Sequence, residues 1–187
     1  ESIRMHSILK KEEETADMIQ KLAIMVRQNV DWSSDSNTIK RELAFVEAYL
    51  SLQKYRFGER LSYQINAQED CQNILVPKLT ITTFVENACV HGIEAKSFPG
   101  WIFVRVYTEN DALCMEIEEA EVERIQDRMR NASLKMLKEK GRVGMVNTCL
   151  RIRMMTEDTA QFSVESEPGI GTLVSIRFPL NKAIRAE

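Results

Sequence analysis

Gly58 divides this chain into two periodicities, and that switch constrains the fold more than any other feature. Before it, apolar residues recur every three or four positions: Ile8, Leu9, Ala16, Ile19, Leu22, Ala23, Val26 and Val30, then Ile39, Leu43, Val46 and Leu50 beyond a polar break at Asp31 to Asn37. This spacing predicts one amphipathic helix, or two in line, up to Val30, and another ending near Phe57 and Gly58, where glycine tolerates a left-handed helix terminus. Asn37 or Thr38 can cap that last helix by accepting from its free N–H groups. After Gly58 the pattern alternates. Leu61 to Ile65, Trp101 to Tyr107, Leu113 to Glu118, Gln161 to Ser166 and Leu173 to Phe178 read as strands. The second and third are joined through Glu109-Asn110-Asp111, residues that turn tightly because Asn and Asp accept positive φ.

Between the strands, helical stretches are predicted around Leu79 to His91, Val122 to Leu137 and Met145 to Met155. The fold class is therefore α+β, with helices layered on a mixed β-sheet and preceded by a helical segment. Residues 1–57 are expected to form that helical dimerisation or linker segment and residues 58–187 the second domain. At 44% hydrophobic and 28% charged residues, the chain can build a packed core. No uncharged run approaches the roughly 18 residues of a membrane-spanning helix. The net charge of −3 comes without a long basic block, which disfavours nucleic acid as a partner. Cys71, Cys89, Cys114 and Cys149 are far apart and form no CxxC pair, a pattern that fits reduced thiols in a cytoplasmic compartment. The chain begins at Glu1 with no signal-peptide pattern, and is expected to be a fragment of something longer.

Three stretches could carry chemistry. Phe84 to Gly92 places Glu86, Asn87 and His91 on an otherwise apolar helix, with Asn87 and His91 four apart on one face. The Asn87 amide oxygen suits Mg²⁺, a hard cation that prefers oxygen ligands and keeps waters and substrate phosphates. Glu86 could orient or deprotonate a nucleophile, and His91 could contact a phosphate. The plain alternative is a helix end capped by Gly92, with His91 near the last carbonyls. Gly141-Arg142-Val143-Gly144-Met145-Val146-Asn147 leads into a helix, where backbone N–H groups can approach an anion. A flexible joint between helices accounts for the same glycines. Gly169-Ile170-Gly171-Thr172 joins two strands and also reads as ordinary hairpin chemistry. His6 has charged neighbours and no oriented partner, and Met145, Met154 and Met155 read as core.

Taken in order, these stretches resemble the nucleotide-binding domain of sensor histidine kinases of the LytS and YesM type, within the gyrase-like ATPase superfamily. Pro77 to Glu94 is similar to that family's N box, Val143 to Asn147 followed by Arg151 to its second glycine box, and Gly169 to Thr172 to its third. Tyr49 to Phe57 resembles the helix linking its dimerisation and catalytic parts. The resemblance implies a domain that binds ATP with Mg²⁺. Asn87 would hold the metal and Glu86 would assist phosphoryl transfer. His91, Gly144, Met145, Asn147, Gly169, Gly171 and Thr172 would bind the nucleotide. It further implies a homodimeric two-component kinase, anchored in a membrane upstream of this cytoplasmic portion, whose partner is a response regulator.

The chain departs from the family at two places. The family's phosphorylated His sits in a Pro-His-Phe motif, which His6 does not match, so the acceptor is expected upstream of Glu1. The first glycine box should follow the strand ending at Ile117-Glu118, where the chain reads Glu118-Glu119-Ala120-Glu121-Val122-Glu123. Either the box is degenerate, or a loop is missing between Glu118 and Glu119; the second is the expectation, with a similar junction conceivable at Lys140-Gly141. The competing function is a non-catalytic interaction module that kept the fold and lost the nucleotide. A serine kinase or ATPase of the same superfamily would be expected to lack the long N-terminal helices.

Overall fold

The computed structural model describes residues 12–30, 34–121, 143–167 and 170–180. His6, Gly141, Gly169 and the helix expected over Val122 to Leu137 lie outside them. Helix α1 (Glu13–Val30) is followed by a short strand β1 (Ser36–Thr38) and helix α2 (Ile39–Phe57). Thr38 caps α2, its hydroxyl accepting from the Arg41 N–H at 3.4 Å, and Gly58 ends it at φ 57°, its N–H donating to the Lys54 carbonyl.

Beyond Gly58 come strand β2 (Leu61–Ala67), a second short strand β3 (Leu75–Pro77), helix α3 (Thr80–Asn87) and a π-helical continuation (Ala88–Glu94). Strands β4 (Gly100–Glu109) and β5 (Ala112–Glu121), helix α4 (Val143–Met155) and strands β6 (Gln161–Glu167) and β7 (Gly171–Pro179) complete the order. The main sheet runs β2-β4-β5-β7-β6, parallel between β2 and β4 and antiparallel elsewhere, so it is mixed as expected. The β4–β5 turn has Asn110 and Asp111 both at positive φ, 49° and 55°, which matches the right-handed twist of the flanking strands. The small β1–β3 ladder has no counterpart in the sequence reading, because three residues are too few to show a period.

Alternation sets the core. On β4, Ile102, Val104 and Val106 point inward, and on β5 Leu113, Met115 and Ile117 do the same. Val46, Tyr49 and Leu50 of α2 and Ile81, Phe84 and Val85 of α3 belong to the same buried cluster. Helix α2 therefore shares its core with the sheet, although it precedes Gly58. Met145 is buried as expected, whereas Met154 is 82% exposed, since α4 turns one face to solvent.

Leu50 is fully buried, so Leu50→Ala is expected to cost about 2–5 kcal/mol in urea unfolding with a single transition. A loss below about 1 kcal/mol, or a separate early transition for the helices, would contradict a core shared by α2 and the sheet.

Candidate functional site

A cleft of about 260 Å³ opens between the α3–π helix and the near ends of β5, β6 and β7. Asn87, His91 and Gly92 form one wall, Ile117 and Glu119 lie along β5, and Gly171 and Thr172 stand opposite with Met145 of α4. The structure thus brings together residues from all three sequence stretches. Asn87, His91, Met145, Gly171 and Thr172 line the cleft; Glu86, Gly144 and Asn147 do not, and Gly169 lies outside the described residues.

Helix geometry sets Glu86 on a different face from Asn87. Successive residues of an α-helix are about 100° apart, so placing Asn87 in the cleft turns Glu86 away from it. Its charge instead acts on Tyr49 of α2 and on Cys89. Partial burial raises the Glu86 carboxyl above its ordinary range. The same argument separates Met145 from Gly144 and Asn147, both of which are exposed. A Cβ on Gly144 would meet only Thr83 Cγ2 at 3.5 Å, an ordinary contact.

Asn87 donates from Nδ2 to the Thr83 carbonyl at 2.6 Å, which orients the amide and leaves Oδ1 as its acceptor end. A single neutral oxygen beside an open cleft fits Mg²⁺, which binds through few protein groups and fills its shell with water and phosphate oxygens. Among the described residues no group of three or more His, Cys, Asp or Glu could hold a metal unaided.

Past Asn87 the helix widens into π geometry instead of ending, so Gly92 is not a cap. Its role is close approach. A Cβ there would sit 2.3 Å from Glu119 Cγ and 2.6 Å from Cδ. Glu119, only 3% exposed, cannot move freely because its Oε1 pairs with Lys96 Nζ at 2.9 Å. Sequence reading gave Glu119 no place in the site. The signal was present, since Leu113, Met115, Ile117 and Glu119 occupy alternate inward positions of β5. Lys96 follows the π segment and offers no periodic signal.

Strand β5 continues without a break through Glu118 and Glu119, paired to β4 and β7. Gly171, opposite Ala120, has φ 136°, a conformation glycine adopts without strain.

The beginning of α3 is held from outside. Its entry residue Leu79 is left-handed, at φ 61° and ψ 23°, and supplies no side-chain cap. Glu42 of α2 takes that place: Oε1 accepts from the Leu79 N–H at 2.8 Å and Oε2 from the Ile81 N–H at 3.2 Å. Burial pushes the Glu42 carboxyl up to about 7, against the lowering effect of those two N–H groups, Asn37 and Arg151. Arg151 also donates to the Lys78 carbonyl.

A sequence model of the family described as Histidine kinase matches residues 1–61. Over 98% of its length the chain is 24% identical to the sensor histidine kinase YesM of Bacillus subtilis, covering 31% of that protein. Over 89% it is 28% identical to the sensor histidine kinase BtsS of Escherichia coli, covering 28% of it. Over most of its length the chain is similar to sensor histidine kinases. Solved structures agree in fold: histidine kinase AdeS of Acinetobacter baumannii superposes with a TM-score of 0.53 at 12% identity, over 97% of this chain and 86% of that one. The catalytic domain of histidine kinase ThkA does so at 0.51 and 11% identity, over 77% and 93%. This chain therefore has the fold of a histidine kinase catalytic domain, and spans about a third of the length of these curated relatives. No helix among the described residues is long and apolar enough to cross a membrane.

Gly92→Ala is expected to lower stability by about 1–3 kcal/mol, because the added methyl must displace a buried, ion-paired carboxylate. Chemical denaturation measures it; a change within about 0.5 kcal/mol would mean Glu119 does not press against Gly92 as described.

Proposed function

We propose that this chain is the catalytic portion of a two-component sensor histidine kinase and that the cleft binds ATP with Mg²⁺. The observation that carries the reading is the convergence of Asn87, His91, Met145, Gly171 and Thr172, drawn from three distant stretches, on one cleft. Asn87 would hold the metal through Oδ1. His91 and Thr172 would contact phosphate, and the small Gly171 would let it approach. Held there, Mg²⁺ would supply positive charge against the phosphates, which with accurate positioning is most of what phosphoryl transfer asks. Glu86 stays a candidate for assisting transfer, and Gly144, Asn147 and Gly169 for lining the nucleotide site. In the whole protein the γ-phosphoryl group would pass to a histidine of the dimerisation segment and then to a response regulator. A homodimer anchored in a membrane, with this part in the cytoplasm, completes the reading.

A second reading is favoured by two observations. β5 runs as a paired strand where the family's first glycine box belongs, and the Lys96–Glu119 ion pair stands in the cleft. That arrangement suits an interaction module that keeps the fold without the nucleotide.

Asn87→Ala separates the two. In the kinase reading, calorimetric titration with ATP shows an affinity that depends on Mg²⁺ in the parent and no longer does in the variant. The empty variant should lose less than about 1 kcal/mol, because the bond removed goes to a carbonyl within its own helix. An equal metal dependence in both proteins would remove Asn87 from the site, and no binding by the parent would favour the module.

A further inference from the structure

Helix α3 and its π continuation carry the cleft wall, yet one neighbouring stretch of chain holds both of their ends. At the beginning, Glu42 of α2 satisfies the Leu79 and Ile81 N–H groups and fixes a left-handed Leu79 that a β-carbon makes costly. At the far end, Arg60, in the turn that follows α2, donates from Nη2 to the Ile93 carbonyl at 2.9 Å and to the Lys96 carbonyl. Arg56 of α2 meets Glu94 at 2.6 Å. Negative charge thus faces the positive end of the helix and positive charge its negative end.

Stability alone does not account for Glu42. The side chain is 1% exposed, and burial raises its carboxyl toward neutrality, so an uncharged residue there would avoid a desolvation cost. A carboxylate can, however, accept from two backbone N–H groups at once, which an amide oxygen of the same reach does less well. The groups facing it are the Leu79 and Ile81 N–H of α3, Asn37 of β1 and Arg151 of α4, with Lys78 beside Leu79 and Arg41 adjacent on its own helix.

We propose that Glu42 is a positioning residue of the nucleotide site, holding the start of α3 so that the Asn87 amide oxygen faces the metal-bound phosphates. This rests on the reading of the cleft as the ATP–Mg²⁺ site. Glu42 touches neither ligand. It acts through Leu79, Ile81 and the two helical turns that lead to Asn87.

Glu42→Gln keeps the shape and removes the charge. Hydrogen exchange of the empty 187-residue protein, corrected for intrinsic rates, should show residues 79–87 less protected in the variant at pH 8. The difference should shrink at pH 6, where a larger share of the parent carboxyl is protonated. The affinity ratio of parent to variant for ATP with Mg²⁺, taken at each pH so that titration of ATP and His91 cancels, should be about tenfold at pH 8 and approach one at pH 6. The thermal midpoint of the variant at pH 8 should be no lower than that of the parent, which a purely structural cap would not allow. Parent binding that depends on Mg²⁺, together with a ratio near one at both pH values, would overturn the role of Glu42 and leave the nucleotide reading standing. A parent that does not bind ATP would overturn that reading and the proposal with it.

Discussion

The cleft depends on a carboxylate that is not in it. Helix α3 starts from a left-handed Leu79 and has no cap of its own, so its first N–H groups would be orphaned in the core without Glu42. The sign of its linkage is informative. A carboxyl raised from 4.5 to about 7 by folding stabilises the native state fully below about 4.5 and loses that contribution as pH rises through about 7. Above that pH the buried charge costs about 3 kcal/mol relative to the neutral form. Helix α2 therefore does two jobs. Val46 and Leu50 fill the shared core, and Glu42, with Arg56 and the following Arg60, grips the ends of the helix that bears Asn87 and His91.

The opposite wall is shaped by proximity. Gly92 lets the π segment approach β5 closely enough to touch Glu119, and Lys96, just past that segment, pairs with the carboxylate. The π geometry moves the end of the helix beyond Gly92, so that His91 still faces the cleft. Where the kinase family is expected to have a glycine loop, this chain has a strand paired on both sides, and its inward carboxylate closes the floor. Asn87, His91, Gly171 and Thr172 thus line the walls of the cleft, and a paired strand lies along its floor.

Much of this was legible beforehand, for physical reasons that differ by residue. The β4–β5 hairpin and the end of α2 at Gly58 were readable because Asn110, Asp111 and Gly58 adopt positive φ, which few residue types do without strain. Asn87 and His91 were readable as a pair because their spacing keeps them on one face. The direction of Glu86 follows from the same geometry, since neighbours in sequence do not share a helix face. The short β1–β3 ladder, the shared core of α2 and the Glu42 cap were not readable, because each is a contact across many residues with no local period. Glu42 is 37 residues from Leu79, and nothing near either hints at the other. Glu119 could have been found from the alternation of β5.

Hydrogen exchange with and without ATP and Mg²⁺ tests the central claim most directly, because it maps where the ligand acts. The account predicts that protection rises along residues 84–94 and at Gly171 and Thr172, only when both ATP and Mg²⁺ are present, with the outer strand β2 unchanged. Protection that rises elsewhere, or in no segment at all, would contradict a nucleotide site formed between the α3–π helix and the β6–β7 hairpin.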